Sequence, residues 1–418
     1  MLALDIRQHQ SMGDPVEHVS GWRTATSLFE PRVPSRTDVG ALRDLLAAQA
    51  EGTPTLRRKA ESGRIELRPT VPQIGAEWVF CRLMLAHPVS NLTMIEPLLY
   101  QDKILAQSGL EGNLETLLMR VFVTGATGFI GSAVVKDLIA AGHQVLGLCR
   151  SNDKAAALAA TGAEVYRGSI EDEGSLEKGA AQADGVIHLA FKHDFSKFVA
   201  NCEDDRRVIK ALGAALAGSG RPLIVTSGTP IANTVAGQPA KEDNPTIGSD
   251  VHPRAASEET AASVAADGVN VSVVRLPQVH DPVKQGLITP MIEMYRAKGA
   301  CAYVGDGLNR WPSAYFLDVA RLYRLAVEKA EPNAKYHAVA EEGIPVRDIA
   351  EAIGRRLNLP VRSIAPQEVQ AWFGWLAMFA GRDLPASSAQ TRKKLGWKPV
   401  GPGLIADLEQ LRVPETSS

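Results

Sequence analysis

The sequence predicts an α/β fold, a doubly wound parallel sheet followed by a smaller α-rich C-terminal lobe. Three features of the chain carry that expectation. From Arg120 onward short apolar runs alternate with stretches of helical spacing. The first run passes into a glycine-rich segment, Gly125–Gly131. From Pro290 onward helical periodicity dominates. Strand alternating with helix implies a parallel sheet covered on both faces.

The elements follow in order. Short apolar strands are expected at Arg120–Val123, Gln144–Cys149, Glu164–Arg167, Gly185–His188, Pro222–Thr226 and Val271–Leu276. Helical spacing separates them at Ser132–Ala141, Lys154–Ala160, Ser175–Ala183, Arg206–Ala217 and Ser257–Ala266. In the lobe the same spacing predicts helices at Met291–Lys298, Val319–Lys329, Val346–Leu357 and Ser387–Leu395. The expected division is a poorly defined extension over residues 1–118, a nucleotide-binding domain over 119–289, and a mainly helical lobe over 290–418. Within the extension, 31–39 and 68–73 read as loops, and Ala41–Ala50 and Ile95–Gln107 as amphipathic helices. The extension is read as loosely ordered, or as a start placed too far upstream. The alternative is a small helical domain that covers a cleft or mediates assembly.

The chain has 418 residues, 45 Lys+Arg against 47 Asp+Glu, and a formal net charge of −2. That balance argues against broad binding to nucleic acid or an anionic membrane. The four cysteines, Cys81, Cys149, Cys202 and Cys301, form no CxxC pair. Neither a disulfide scaffold nor a metal site is expected, and a cytoplasmic location fits. Met1–Gln10 is too polar for a signal peptide. The longest apolar run, Ala371–Gly381, is roughly half a membrane span. The expected partner is a small-molecule substrate, with a homodimer left open.

Thr124-Gly125-Ala126-Thr127-Gly128-Phe129-Ile130-Gly131 follows one strand and opens a helix. One glycine must bend tightly, another must let backbone approach a pyrophosphate, and the last lets helix and strand pack closely. The helix N-terminus then presents unpaired N–H groups to phosphate. A second strand at the right distance makes this a Rossmann-type dinucleotide site. The cofactor contacts expected are Gly125, Thr127, Gly128, Phe129, Ile130 and Gly131.

This GxxGxxG turn resembles that of the extended and atypical branches of the short-chain dehydrogenase/reductase superfamily. Asp184–Ala190 is similar to the superfamily's fourth strand and its cofactor-contact turn, which adds Leu189 and Ala190. Val225-Thr226-Ser227-Gly228-Thr229 resembles the fifth strand with the active-site serine, Ser227. Arg275–His280 resembles the turn beside the nicotinamide, which adds Pro277. Asp318-Val319-Ala320 resembles a helix start of the substrate lobe. The resemblance runs from Met119 to about Leu411, with epimerase/dehydratase-like and 3β-hydroxysteroid-dehydrogenase-like members as neighbours.

An NAD enzyme carries an acid at the end of the second strand, on the ribose 2′-hydroxyl. This chain has Cys149-Arg150-Ser151-Asn152 there. Arg150, helped by Ser151, suits the 2′-phosphate of NADP. NADP is therefore the expected cofactor, with NAD as the alternative. Asp172 is read either as a contact to the adenine edge or as a helix cap near Ser175.

The resemblance implies a Ser, a Tyr and a Lys, the last two as YxxxK. The chain instead has Arg254-Ala255-Ala256-Ser257-Glu258, with Arg for Tyr and Glu for Lys. Arg254 is read as a fixed positive donor to a developing alkoxide, since guanidinium does not deprotonate. Glu258 is read as catalytic or as a simple partner of Arg254 four residues away. His280 or Tyr315 is the alternative proton source, and His188 is read as packed in its turn. Trp311 and Tyr315 are placed at a pocket, with Trp372, Phe373, Trp375 and Phe379 as its roof or as plain core. Three functions remain open. They are an NADP-dependent oxidoreductase on a small carbonyl or alcohol, a nucleotide-sugar epimerase or dehydratase, and a non-catalytic NADP sensor.

Overall fold

The computed structural model describes residues 118–232 and 235–412. The expectations for the segment ahead of Leu118 lie outside the described residues. Among the described residues, seven strands form one parallel sheet. They are β1 (Arg120–Thr124), β2 (Gln144–Cys149), β3 (Glu164–Arg167), β4 (Gly185–His188), β5 (Pro222–Gly228), β6 (Asn270–Leu276) and β10 (Lys335–His337). Their order is β10-β6-β5-β4-β1-β2-β3. Chain direction reverses its march at β1, so a crevice opens at the C-terminal ends of β1 and β4.

The inner strands β1, β4 and β5 are apolar on both sides because both sides are buried. In β1, Val121 and Val123 join one core, and Phe122 between them joins the other. On the first face lie α1 (Phe129–Ala140), α2 (Asn152–Ala159) and α7 (Phe316–Lys329), with Leu138, Leu158 and Tyr323 in the core. On the second lie α3 (Glu173–Ala181), α4 (Phe198–Leu216) and α5 (Ala256–Ala266), with Leu176, Leu212 and Val264 in the core. Each such side chain, fully buried, contributes about 1.5–3 kcal/mol.

The lobe keeps the expected helices and adds strands. α6 (Ile288–Lys298), α8 (Val346–Leu357), α9 (Val369–Phe373), α10 (Ala377–Ala380) and α11 (Leu404–Glu409) surround a core containing Trp311, Tyr295 and Phe373. β7 (Gln278–His280), β9 (Arg310–Tyr315) and β11 (Glu341–Pro345) form a three-stranded sheet in the order β11-β9-β7. β8 (Cys301–Val304) pairs with β12 (Val361–Ile364). The chain crosses the boundary at residue 290 more than once. α7 lies on the large sheet, and β10 pairs with β6 to complete it. No helix among the described residues is long and apolar enough to cross a membrane.

Candidate active site

The glycine turn separates into two kinds of glycine. Gly125 has φ +71°, and a Cβ there would lie 2.8 Å from the Ala190 nitrogen. A Cβ on Gly131 would lie 2.0 Å from the Gly125 carbonyl oxygen. Both are required by the protein's own backbone packing. Gly128 is different: it is exposed, and a Cβ there meets only the Gly125 oxygen, at 3.1 Å. Gly128 is also the N-cap of α1 and offers no side-chain cap. The space above the α1 N-terminus is thus a cradle that any side chain at 128 would begin to fill, which fits a dinucleotide phosphate. Phe129 stacks on Phe316 at 5.4 Å, and Ile130 packs on the first core. Their side chains serve packing, so only their backbone faces the cradle. Thr127 is half-buried in the turn.

At the end of β2, Arg150 is exposed and Ser151 is the N-cap of α2. Arg167, at the end of β3, donates to the carbonyls of Ser151 (3.0 Å) and Arg150 (3.1 Å). It fixes the loop that presents Arg150, a role the sequence reading missed. Glu171 pairs with Lys192 at 2.8 Å, which holds its carboxyl below the usual carboxylate range. Asp172 is the N-cap of α3, its Oδ1 accepting from the Ser175 N–H at 3.1 Å. The capping alternative therefore describes it.

The ends of β4 and β5 carry a buried polar chain. Thr124 Oγ1 accepts from the N–H groups of Leu189 (3.2 Å) and Ala190 (3.3 Å) and lies 2.7 Å from His188 Nδ1. Its own hydrogen therefore goes to Nδ1, so His188 donates from Nε2 to Asp205 Oδ1 at 3.0 Å. Asp205 Oδ2 accepts from Arg254 Nη1 (2.7 Å) and from Ser257 Oγ (2.5 Å). Arg254 Nη2 donates to the Thr226 carbonyl at 2.8 Å, and its guanidinium lies 4.3 Å over the Phe191 ring. Burial alone raises the Asp205 carboxyl, but Arg254 and His188 overcome it and hold the group well below its ordinary value. Beside this chain, Ser227 is 4% exposed and its Oγ has no partner among the described residues. Leaving a buried hydroxyl unpaired costs about 1–3 kcal/mol, so it marks a place where a ligand oxygen is expected.

The remaining expectations divide. Glu258 does not touch Arg254. It grips Arg275 with both oxygens (2.7 and 2.8 Å) and accepts from Thr246 Oγ1 at 2.5 Å. The reason is local: Pro253–Ala255 is a 3₁₀ turn and α5 begins only at Ala256. The four-residue helical stacking of 254 on 258 therefore does not exist. His280 is fully buried, with Nδ1 2.7 Å from Asp407 Oδ2 and Nε2 unpartnered. It forms a dyad in the lobe, outside the Asp205–Arg254 chain, with Tyr315 at 6.1 Å between ring centres. Pro277 is half-buried just past β6. Trp311 is fully buried in the lobe core. Trp372 is clasped by Arg362 and Lys298. Trp375 stacks on Phe195 of the loop after β4, and Phe379 reaches His252. That junction brings the lobe onto the crevice. Asp205, Arg167 and His252 were missed from sequence; the unpaired acid implied by Arg in a tyrosine slot was the available signal for Asp205.

A model of the NAD dependent epimerase/dehydratase family matches residues 121–340. An uncharacterized protein of Schizosaccharomyces pombe is 46% identical over 294 residues, covering 69% of this chain and 98% of that one. An uncharacterized protein of Saccharomyces cerevisiae is 43% identical over 296 residues, covering 69% of this chain and 98% of its own. Among solved structures, a dTDP-glucose 4,6-dehydratase from Streptomyces venezuelae with NAD bound superposes with a TM-score of 0.56 at 20% identity, covering 70% of this chain and 96% of that one. This chain belongs to the NAD dependent epimerase/dehydratase family.

Proposed function

We propose that this chain is an NADP(H)-dependent oxidoreductase that interconverts a small carbonyl compound and its alcohol. The observation that carries the proposal is the unpartnered, buried Ser227 hydroxyl beside an arginine locked by Asp205. The cradle over Gly128 and the N-terminus of α1 would hold the pyrophosphate, and Arg150 with Ser151 would hold the 2′-phosphate. Bound there, the cofactor would supply or accept a hydride at the substrate carbon, and the proton that completes the alcohol would be exchanged with solvent water. Ser227 donates a hydrogen bond to the substrate oxygen. Arg254, its charge offset by Asp205, would add a fixed hydrogen-bond donor for that oxygen. Its position is fixed in advance by Asp205, Ser257 and the Thr226 carbonyl. The nucleotide-sugar alternative relies on a tyrosine and a lysine that remove and return a proton. Here those positions hold Arg254 and Glu258, and Glu258 is committed to Arg275.

The test is NADPH and NADH oxidation over a panel of aldehydes and ketones, with binding of each cofactor measured separately. Turnover is expected with NADPH. Ser227→Ala should lower kcat by about 10²-fold, the usual effect of removing one oxyanion donor, with little change in NADPH affinity. Failure to bind either dinucleotide refutes the proposal, and binding without turnover of any carbonyl favours a sensor.

A further inference from the structure

His252 has no part in the chemistry above, yet its surroundings are those of a binding site. It is 4% exposed, and its Nδ1 accepts from the Arg254 backbone N–H at 3.3 Å. A ring nitrogen that accepts leaves the ring proton on the other, so Nε2 is a donor. That Nε2 is buried and has no acceptor among the described residues. Phe198 stands edge-on to the ring at 5.9 Å, and Phe379 of the lobe tilts against it at 6.0 Å. Nearby, Phe195 lies flat on Trp375 at 4.1 Å and 8°. The donor therefore sits within an aromatic junction between the loop after β4 and the lobe.

Burial first, then the charges of Arg382 and Arg254, push the imidazole down to about 4, so it is a neutral donor at pH 7. Arg254 is compensated by Asp205. Arg382 lies one turn past Phe379, its N–H bonded to the Phe379 carbonyl at 2.9 Å; it is exposed and makes no ion pair among the described residues. An unpaired donor, an uncompensated guanidinium and aromatic walls together suit one kind of group, an anionic oxygen on a planar apolar frame.

We propose that His252 and Arg382 form a carboxylate-recognition subsite, and that the substrate is a planar, apolar carbonyl compound carrying a carboxylate. The carbonyl half rests on the oxidoreductase reading; the carboxylate half does not. The probes are 4-carboxybenzaldehyde and its methyl ester, titrated by calorimetry into full-length protein with and without NADP+. The acid should bind at least about tenfold more tightly than the ester, and Arg382→Gln should bring that ratio close to one. His252→Phe should weaken the acid by about tenfold or more, while His252→Gln, which keeps an N–H donor, should retain most of the binding. Equal binding of acid and ester, binding of neither, or a ratio that survives Arg382→Gln overturns the subsite. NADPH oxidation measured in parallel separates the two ideas. Tight acid binding without reduction counts against the oxidoreductase and supports the subsite. Reduction of both probes with no preference counts the other way.

Discussion

Asp205 joins the fold to the chemistry, and Asp205→Asn isolates what its charge does. The substitution keeps the side-chain shape. Its three partners, Arg254 Nη1, Ser257 Oγ and His188 Nε2, all donate to it. An amide has only one accepting oxygen, so one side of the substituted group would face donor against donor. The Arg254 charge would also lose its counter-ion while only 14% of its side chain meets solvent. Breaking a buried pair from one side costs about 3–5 kcal/mol. The slight access of water to Arg254 favours the lower end, about 3 kcal/mol. At about 2–4 °C per kcal/mol for a domain of this order, Tm should fall by roughly 6–12 °C. Urea unfolding and calorimetry read the loss. Pairing the change with Arg254→Met removes the stranded charge and should recover stability to within about 1 kcal/mol of the parent, without recovering turnover. The pH dependence follows from the depressed native value of Asp205. Its contribution is fully present above the unfolded value of about 3.9 and is lost as pH falls below that. Parent and Asp205→Asn should therefore differ at neutral pH and converge under stronger acid. A single variant within about 1 kcal/mol of the parent, or a double variant less stable than the single, refutes the argument.

Other outcomes follow from the same geometry. Gly128→Val should stay folded and lose dinucleotide binding, whereas Gly131→Ala should destabilise the fold, because only the second meets backbone at 2.0 Å; thermal melts and cofactor titration distinguish them. Arg150→Ala should weaken NADP by about 1.5–3 kcal/mol and leave NAD nearly unchanged, read by titrating both; equal losses would remove Arg150 from the 2′-phosphate. Glu258→Gln should lower stability by about 3 kcal/mol or more through the stranded, fully buried Arg275, and a loss of turnover without loss of stability in that variant would restore Glu258 to the catalytic site.

The large sheet was legible because its inner strands are apolar on both faces and helical spacing bounds each one. β2, β3 and β4 lie where the sequence reading placed them, and β5 and β6 run one or two residues further. α4 was read from Arg206 but begins at Phe198. Its first turns bury Asn201, Cys202 and Asp205, and polar residues on the inner face hide the apolar period. The lobe strands were missed because they are three to six residues long and mostly held by partners distant in sequence. In the candidate site, Ser227 and Arg254 were singled out through the resemblance to the superfamily's serine and tyrosine positions. Asp205 was not, since it lies in the run Glu203-Asp204-Asp205-Arg206-Arg207, which reads as a solvated face. Only the tertiary fold selects one acid of that run for burial against a residue 49 positions away.

The last strand of the large sheet has a consequence for how the chain is made. β6 gains its outer neighbour only when β10 arrives, roughly 60 residues later, after much of the lobe has been synthesised. At about 5–20 residues per second, translation leaves that interval open for about 3–12 s. During it, the edge of β6 presents unpaired backbone groups flanked by Val271, Val273 and Val274, side chains that are buried in the finished molecule. Such an edge is a template for pairing with another nascent chain. Folding during synthesis is therefore most exposed to aggregation in that window, and ribosome pausing between residues 276 and 337 would lengthen it.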